Sequence, residues 1–439
     1  MHKCLHHHHD NRHPLFCIIP SYMLENIVKR GDPEQQELAR QTLISAAQFR
    51  AGRQQIAALT VASPQEAAAV AKKRTIYDAQ NGTTLPGPKV VRREGQGPTG
   101  DAAVDEAYDG SGATFDLYYD IYGRNSIDNN GMGLISTVHY GQKYNNAFWN
   151  GQQMTYGDGD GSIFNRFTIA IDVIGHELTH GVVQHTANLV YQNQPGALNE
   201  SMADVFGSLV KQRKLGQTAA QADWLIGAGL LTAKVKGQAL RSMKAPGTAY
   251  DDPVLGKDPQ PAHMKDIYTG SADNGGVHIN SGIPNHAFYN AALEIGGNAW
   301  EKAGRIWYVT LKDKLGRNSD FQDAANKTYQ VAGDLYGANS LEQKAVVKGW
   351  ADVGINITVS TGQWYYNRLV QYTYTAYPSK YAFAVIEGVS GWKQIYPSTP
   401  DGVTNLFKLL CLAKGTNRRV QVYIQNISGV DYITNAYLL

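Results

Sequence analysis

Five consecutive residues, His176-Glu177-Leu178-Thr179-His180, constrain this 439-residue chain more than any other feature. On a helix, histidines four apart project from one face, one turn above the other. Two imidazoles so placed hold a divalent ion about 2 Å from each nitrogen, as zinc requires. Glu177, beside the first histidine, reaches a water on such an ion without being a ligand itself. The competing reading of these five residues alone is a buried helix with two hydrogen-bonded histidines.

Two further segments favour the metal. In Asn199-Glu200-Ser201-Met202-Ala203-Asp204 the two acids are four apart and share a helical face. Glu200 completes a two-His, one-Glu set with a fourth position open, the pattern of a catalytic zinc. Asp204 is then available to accept an imidazole N–H and fix its tautomer. Without the first motif, this would read as a surface helix with solvated carboxylates. In Asp273-Asn274-Gly275-Gly276-Val277-His278, the glycine pair predicts a tight turn that throws His278 forward, with Asp273 pairing to it. An imidazolium there would stabilise a developing oxyanion.

The remaining composition excludes more than it specifies. Forty Lys and Arg against 38 Asp and Glu give no field for steering onto nucleic acid or an anionic membrane. No run approaches the length of a membrane-spanning helix. Cys4, Cys17 and Cys411 are too few and too dispersed for a disulfide framework. The N-terminus lacks the apolar core of a secretory signal, so a cytoplasmic precursor or a non-standard export route is expected. His6–His9 reads equally as a native tail or a tag. Four regions separate by pattern: a polar, helix-prone 1–52, a strand-rich 53–190, a helical 191–357 and a tyrosine-rich, strand-like 358–439. A helix is predicted at about Val403–Ala413, and the basic junction Phe49-Arg50-Ala51-Gly52-Arg53 is a site for proteolytic nicking.

These motifs stand in a fixed order together with Tyr122-Gly123-Arg124-Asn125-Ser126-Ile127-Asp128, Tyr144 through Asn150, Tyr191 through Asp204 and Leu240-Arg241-Ser242-Met243. From about Thr75 to Ile355 the chain resembles the thermolysin family of zinc metalloendopeptidases, and within it the protealysin-like branch with a short propeptide. The resemblance implies an α+β fold of two lobes, β-rich 53–190 and helical 191–357, with the zinc helix between them. It implies that His176, His180 and Glu200 bind Zn2+ and that Glu177 is the general base. It further implies that His278 and Tyr191 stabilise the oxyanion, that Asp273 orients His278, and that Asn146, the Ala147 carbonyl and Arg241 grip the backbone of a protein or peptide substrate. Positions matching the specificity pocket are Phe164, Phe167, Val173, Ile226 and Leu240. All are apolar, which implies cleavage on the amino side of a bulky hydrophobic residue. The family's double Ca2+ site is expected to be lost, because Lys211, Leu225 and Ala228 replace oxygen ligands; Lys211 is expected to pair with Asp172 or Asp223.

Cys17-Ile18-Ile19-Pro20-Ser21-Tyr22-Met23-Leu24 resembles the start of protealysin-like propeptides, which makes 1–52 an inhibitory segment removed on activation. Cys17 either plugs the zinc as a thiolate or docks as a small apolar residue. Residues 358–439 read as an accessory, mainly β module of OB type that serves either for targeting or for oligomerisation. Trp364, Tyr365, Tyr366, Tyr372, Tyr374 and Tyr377 there would stack on a glycan or protein ligand or pack within the module. The function expected is therefore a latent zinc endopeptidase. The alternative is a toxin-like glycan- or protein-binding protein in which the protease scaffold is secondary.

Overall fold

The computed structural model describes residues 16–56, 70–358, 362–375, 381–397, 400–427 and 430–439. The chain divides into two compact units, Met1–Ile357 and Thr358–Leu439. In the first, β1 (Phe16–Cys17), β2 (Arg74–Asp78), β3 (Lys89–Arg93), β4 (Leu134–Val138), β5 (Ala147–Trp149) and β6 (Met154–Tyr156) form one sheet in the order β1-β5-β6-β4-β2-β3. The N-terminal segment thus supplies an edge strand, antiparallel to β5.

Ahead of this sheet come α1 (Ser21–Arg30), which buries Met23, Leu24 and Ile27, and α2 (Pro33–Ile56). The Phe49–Arg53 junction lies inside α2, not in the loop expected of a nicking site, so cutting there requires the helix to unwind. The strand-rich region also holds a helix that its pattern did not announce, α3 (Ala102–Asp116). Gly110-Ser111-Gly112 reads as a turn, but Asp101 caps the helix by accepting from the Ala103 and Val104 N–H groups. Val104, Ala107, Tyr108 and Phe115 then bury its inner face.

The zinc helix α4 (Ile171–Gln184) follows the sheet, and the helical half begins with α5 (Asn193–Leu215), followed by α6 (Ala272–Asn280), α7 (Gly282–Ile295), α8 (Ala303–Asp313), α9 (Phe321–Tyr336) and α10 (Leu341–Asp352). Two short hairpins, β7 (Leu225–Ile226) with β8 (Arg241–Ser242) and β9 (Asp251–Asp252) with β10 (Gly256–Lys257), lie between α5 and α6. Gly207 brings α4 and α5 together: a Cβ there would fall 2.4 Å from the Asp172 carbonyl oxygen. That close approach sets the acids of α5 against the histidines of α4.

The second unit has its own core, Val370, Ala384, Ile386, Ile395, Leu410, Val420, Val422 and Ile433 among its members. Its strands are β11 (Gly362–Arg368), β12 (Val370–Thr375), β13 (Ala382–Ile386), β14 (Lys393–Ile395), β15 (Val420–Ile427) and β16 (Val430–Leu438), with α11 (Pro400–Gly415) between β14 and β15. The sheet order is β11-β15-β16-β14-β13-β12, antiparallel except for β14 and β16. Its two end strands, β11 and β12, are consecutive in the chain and separated by Leu369 alone. With them counted as one bent strand, this is OB-type connectivity, as expected from element order. Of the expected aromatic surface, Tyr366, Tyr372 and Tyr374 are exposed with Trp392. Tyr365 instead packs against the core, Trp364 is half-buried, and Tyr377 falls outside the described residues.

Candidate metal centre and peptide groove

His176, Glu177 and His180 on α4, and Glu200 and Asp204 on α5, are all fully buried. The surface-helix reading of 199–204 therefore fails. His176 Nε2 and His180 Nε2 face each other at 3.0 Å. Glu200 lies 3.5 Å from the first through Oε2 and 3.4 Å from the second through Oε1. Among the described residues, these three form the one group of His, Cys, Asp or Glu side chains whose ligand atoms converge, all within 4.8 Å of one another.

The outer imidazole nitrogens explain why the inner ones are available. His176 Nδ1 donates to Asp204 Oδ1 at 2.7 Å, and His180 Nδ1 donates to Asn199 Oδ1 at 2.8 Å. Each bond fixes the tautomer that leaves the Nε2 lone pair pointing inward. Burial holds His180 down at about 3, against the pull of Glu200, so the ring is neutral. Glu200 Oε2 and Glu177 Oε1 are buried without a hydrogen-bond partner. Unpartnered buried acceptors are costly, and two imidazoles with a carboxylate form a donor set suited to zinc. The residues present fit that ion.

Asp204 does more than orient His176. It also accepts from Arg241 Nε at 2.8 Å, Arg241 Nη2 at 2.7 Å and Asn285 Nδ2 at 2.8 Å. Burial opposes its charge, but Arg241 and His176 hold it far below the usual carboxylate range. Glu177 goes the other way: burial and then the Glu200 charge push it well up, against the Trp149 N–H that donates to its Oε2 at 3.0 Å.

Asp273, Asn274, Gly275 and Gly276 all have positive φ, between 52° and 81°, so the tight turn predicted from the glycine pair is a run of left-handed residues. It lets Asp273 grip His278 twice, through the ring Nδ1 at 2.6 Å and the backbone N–H at 2.8 Å. Burial opposes a charge on His278, yet Glu200 and Asp273 raise it to about 9. The Tyr191 hydroxyl donates to Glu200 Oε1 and lies 3.1 Å from His278 Nε2.

Beside this cluster the N-terminal segment runs through a groove as an extended strand. The Ile18 N–H donates to the Ala147 carbonyl at 3.2 Å, and the Ile18 carbonyl accepts from Arg241 Nη1 at 3.3 Å. Asn146 takes both ends of the next residue, accepting from the Ile19 N–H at 3.1 Å and donating to its carbonyl at 3.4 Å. The Cys17 carbonyl faces His278 Nε2 at 3.2 Å. Ile18 is fully buried in one core with Phe164, Phe167, Val173, Ile226 and Leu240. Cys17 offers that carbonyl, not a metal-directed thiol. Its side chain joins Ala46, Tyr140, Tyr144 and Phe148 and is no member of the converging group, which corrects the plug idea. Lys211 Nζ bonds both Asp172, at 3.2 Å, and Asp223, at 2.8 Å, together with the Leu225 carbonyl. Ala228 adds no side-chain oxygen beside them. Sequence reasoning missed Asn199 and Asn285, which carry no motif of their own; the position of Asn199 directly before Glu200 on the same helix was the available signal.

A buried His-His-Glu centre between a β-rich and a helical half, with a backbone-gripping groove beside it, defines a metallopeptidase. Two family models match the chain: the thermolysin metallopeptidase catalytic domain over residues 52–184 and its α-helical domain over 187–355. An extracellular metalloprotease of Pectobacterium carotovorum is 52% identical over 346 residues, 78% of this chain and 97% of the relative. Protease PrtS of Photorhabdus is 49% identical over 77% of this chain and 92% of its own length. The solved precursor of protealysin, a metalloproteinase from Serratia proteamaculans, superposes with a TM-score of 0.70 at 53% identity, covering 77% of this chain and 99% of that one. The chain belongs to the thermolysin family of zinc metalloendopeptidases, with a C-terminal β module beyond residue 355, where the family models end.

Proposed function

We propose that this is a latent endopeptidase that takes an extended peptide alongside β5 and cuts it on the amino side of a bulky apolar residue. One observation carries the reading: the backbone of Cys17, Ile18 and Ile19 is bound by His278, Ala147, Arg241 and Asn146 next to the His-His-Glu centre, as an extended substrate would be. In this reading His176, His180 and Glu200 hold the zinc, and Asp204 fixes the first of them. Zinc bound there supplies a Lewis acid and makes water acidic enough to react near neutral pH. Glu177, with its raised proton affinity, takes the proton of the attacking water and passes it to the leaving amine. His278, held by Asp273, and the Tyr191 hydroxyl donate to the oxygen that becomes negative. Phe164, Phe167, Val173, Ile226 and Leu240 receive the apolar side chain.

Residues 1–52 act as the inhibitor and leave on activation. The lysine ammonium bridging Asp172 and Asp223 supports loss of the double calcium site, because it stands among the carboxylates such ions need. The module of 358–439 directs the peptidase to a glycan or protein surface, a role its exposed tyrosines support. The name of the Pectobacterium relative supports export. The test pairs zinc content with hydrolysis of a quenched peptide bearing an internal leucine, on precursor and nicked forms, with Glu177→Ala as control. One zinc per chain and activity that appears on nicking support the reading; zinc without activity in any form refutes it.

A further inference from the structure

The groove holds the chain's own backbone, and the register in which it does so bears on the chain's covalent structure. The carbonyl offered to His278 Nε2 is that of Cys17. The next N–H, of Ile18, donates to the Ala147 carbonyl at 3.2 Å. The following carbonyl is held by Arg241, and Ile19 is held at both ends by Asn146. The side chain after the Cys17–Ile18 bond, that of Ile18, is fully buried and belongs to the same core as Phe164, Phe167, Val173, Ile226 and Leu240, as does that of Ile19. The oxyanion donor and the backbone clamps therefore all count from the same peptide bond. A segment that only obstructed the groove would not have to present a carbonyl to His278 and the adjoining N–H to the Ala147 carbonyl.

We propose that the Cys17–Ile18 peptide bond is a self-processing site, cut within the molecule that carries it. The proposal rests on the reading of the groove given above. Water adds across the bond: its oxygen joins the Cys17 carbonyl carbon, the C–N bond breaks, and Glu177 carries a water proton to the Ile18 nitrogen. The products are a Cys17 carboxylate and an Ile18 ammonium. The cut separates residues 1–17 while α1 and α2 stay joined to the catalytic unit, so it is distinct from removal of the whole inhibitory segment.

The experiment uses the full chain, prepared metal-free and then given one equivalent of zinc, with intact mass followed over time. The expected result is a chain beginning at Ile18, formed at a rate independent of protein concentration. Ile18→Asp slows the cut on the order of 100-fold, since a carboxylate would enter an apolar pocket unpaired, and Ile18→Val retains it. A readout that needs no turnover is hydrogen exchange of the metal-free chain: the Ile18 and Ile19 amides are protected, and Asn146→Ala exposes them. In parallel, the zinc-loaded chain nicked by trypsin is assayed on the quenched peptide. Peptide hydrolysis with an intact Cys17–Ile18 bond overturns the proposal and leaves the peptidase reading standing. Neither reaction overturns both. Cleavage that accelerates with protein concentration, or unprotected Ile18 and Ile19 amides, overturns the intramolecular register.

Discussion

Replacing Lys211 with alanine strands a charge. The Asp172 carboxylate is 1% exposed, and apart from Lys211 its recorded partner is the Gly227 N–H at 3.2 Å. Asp223, the other partner of the lysine, is 43% exposed and loses little when freed. Removing one member of a buried pair costs about 3–5 kcal/mol, whereas an exposed pair contributes about 0.2–1 kcal/mol. The lysine side chain retains 13% exposure, so water reaches the pair and the lower end applies. Lys211→Ala should therefore cost about 3 kcal/mol and Asp223→Ala less than about 1 kcal/mol. Asp172→Asn combined with Lys211→Ala should cost clearly less than the sum of the two single changes.

The pH dependence follows from two signs. Burial raises Asp172 despite Lys211, so the folded state binds that proton more tightly than the unfolded chain, and the cost of its charge is relieved as pH falls. Lys211 is raised from 10.5 by Asp172 and Asp223, against burial, so its contribution is present throughout the neutral range and is lost only above pH 10.5. The deficit of Lys211→Ala should accordingly narrow between pH 8 and pH 5. Urea unfolding of the Glu177→Ala background, which cannot digest itself, measures this by fluorescence and circular dichroism together, since two units need not unfold in one step. Equal costs for Lys211→Ala and Asp223→Ala, or strict additivity of the double change, would refute the reasoning.

His139 sits between Asp158 and Asp101, whose hydrogen bonds and charges raise it from 6.5 to about 9 against burial. His139→Gln should cost about 2 kcal/mol below pH 6.5 after allowance for partial exposure, and progressively less as pH rises through 9, read by urea midpoints across that range. Asn199→Ala removes the acceptor of His180 Nδ1 and should weaken zinc binding about 10–100-fold in competition with a chelator, with the fold unchanged by circular dichroism. A chain ended after Ile357 should keep its hydrolysis of a soluble quenched peptide once nicked, because each unit has its own core. Loss of that activity would tie the C-terminal module to catalysis.

Much of the centre was legible because helical spacing converts directly into geometry: His176 with His180, and Glu200 with Asp204, each share a face whatever surrounds them. What spacing could not supply was depth. Glu200 and Asp204 lie at the bottom of the α4–α5 contact because Gly207 lets the helices close, and no local pattern announces such an approach. Amide partners escaped for a related reason, since Asn199 and Asn285 act only through what tertiary packing sets beside them. Helix α3 was obscured by Gly110-Ser111-Gly112, whose turn preference is overridden by the Asp101 cap and a buried apolar face. In the C-terminal unit, element order was sufficient for connectivity, but strand alternation did not distinguish the inward Tyr365 from the outward Tyr366.

The C-terminal sheet ends on two consecutive stretches of one chain, and every other strand in it is bonded on both sides. A peptidase that reads its victims by adding them to β5 needs a backbone whose N–H and carbonyl groups are free. In this module β13, β14, β15 and β16 have both edges engaged, and β11 and β12 have one each. Paired strands of this kind offer a protease that captures extended backbone fewer free edges than a loop of the same length.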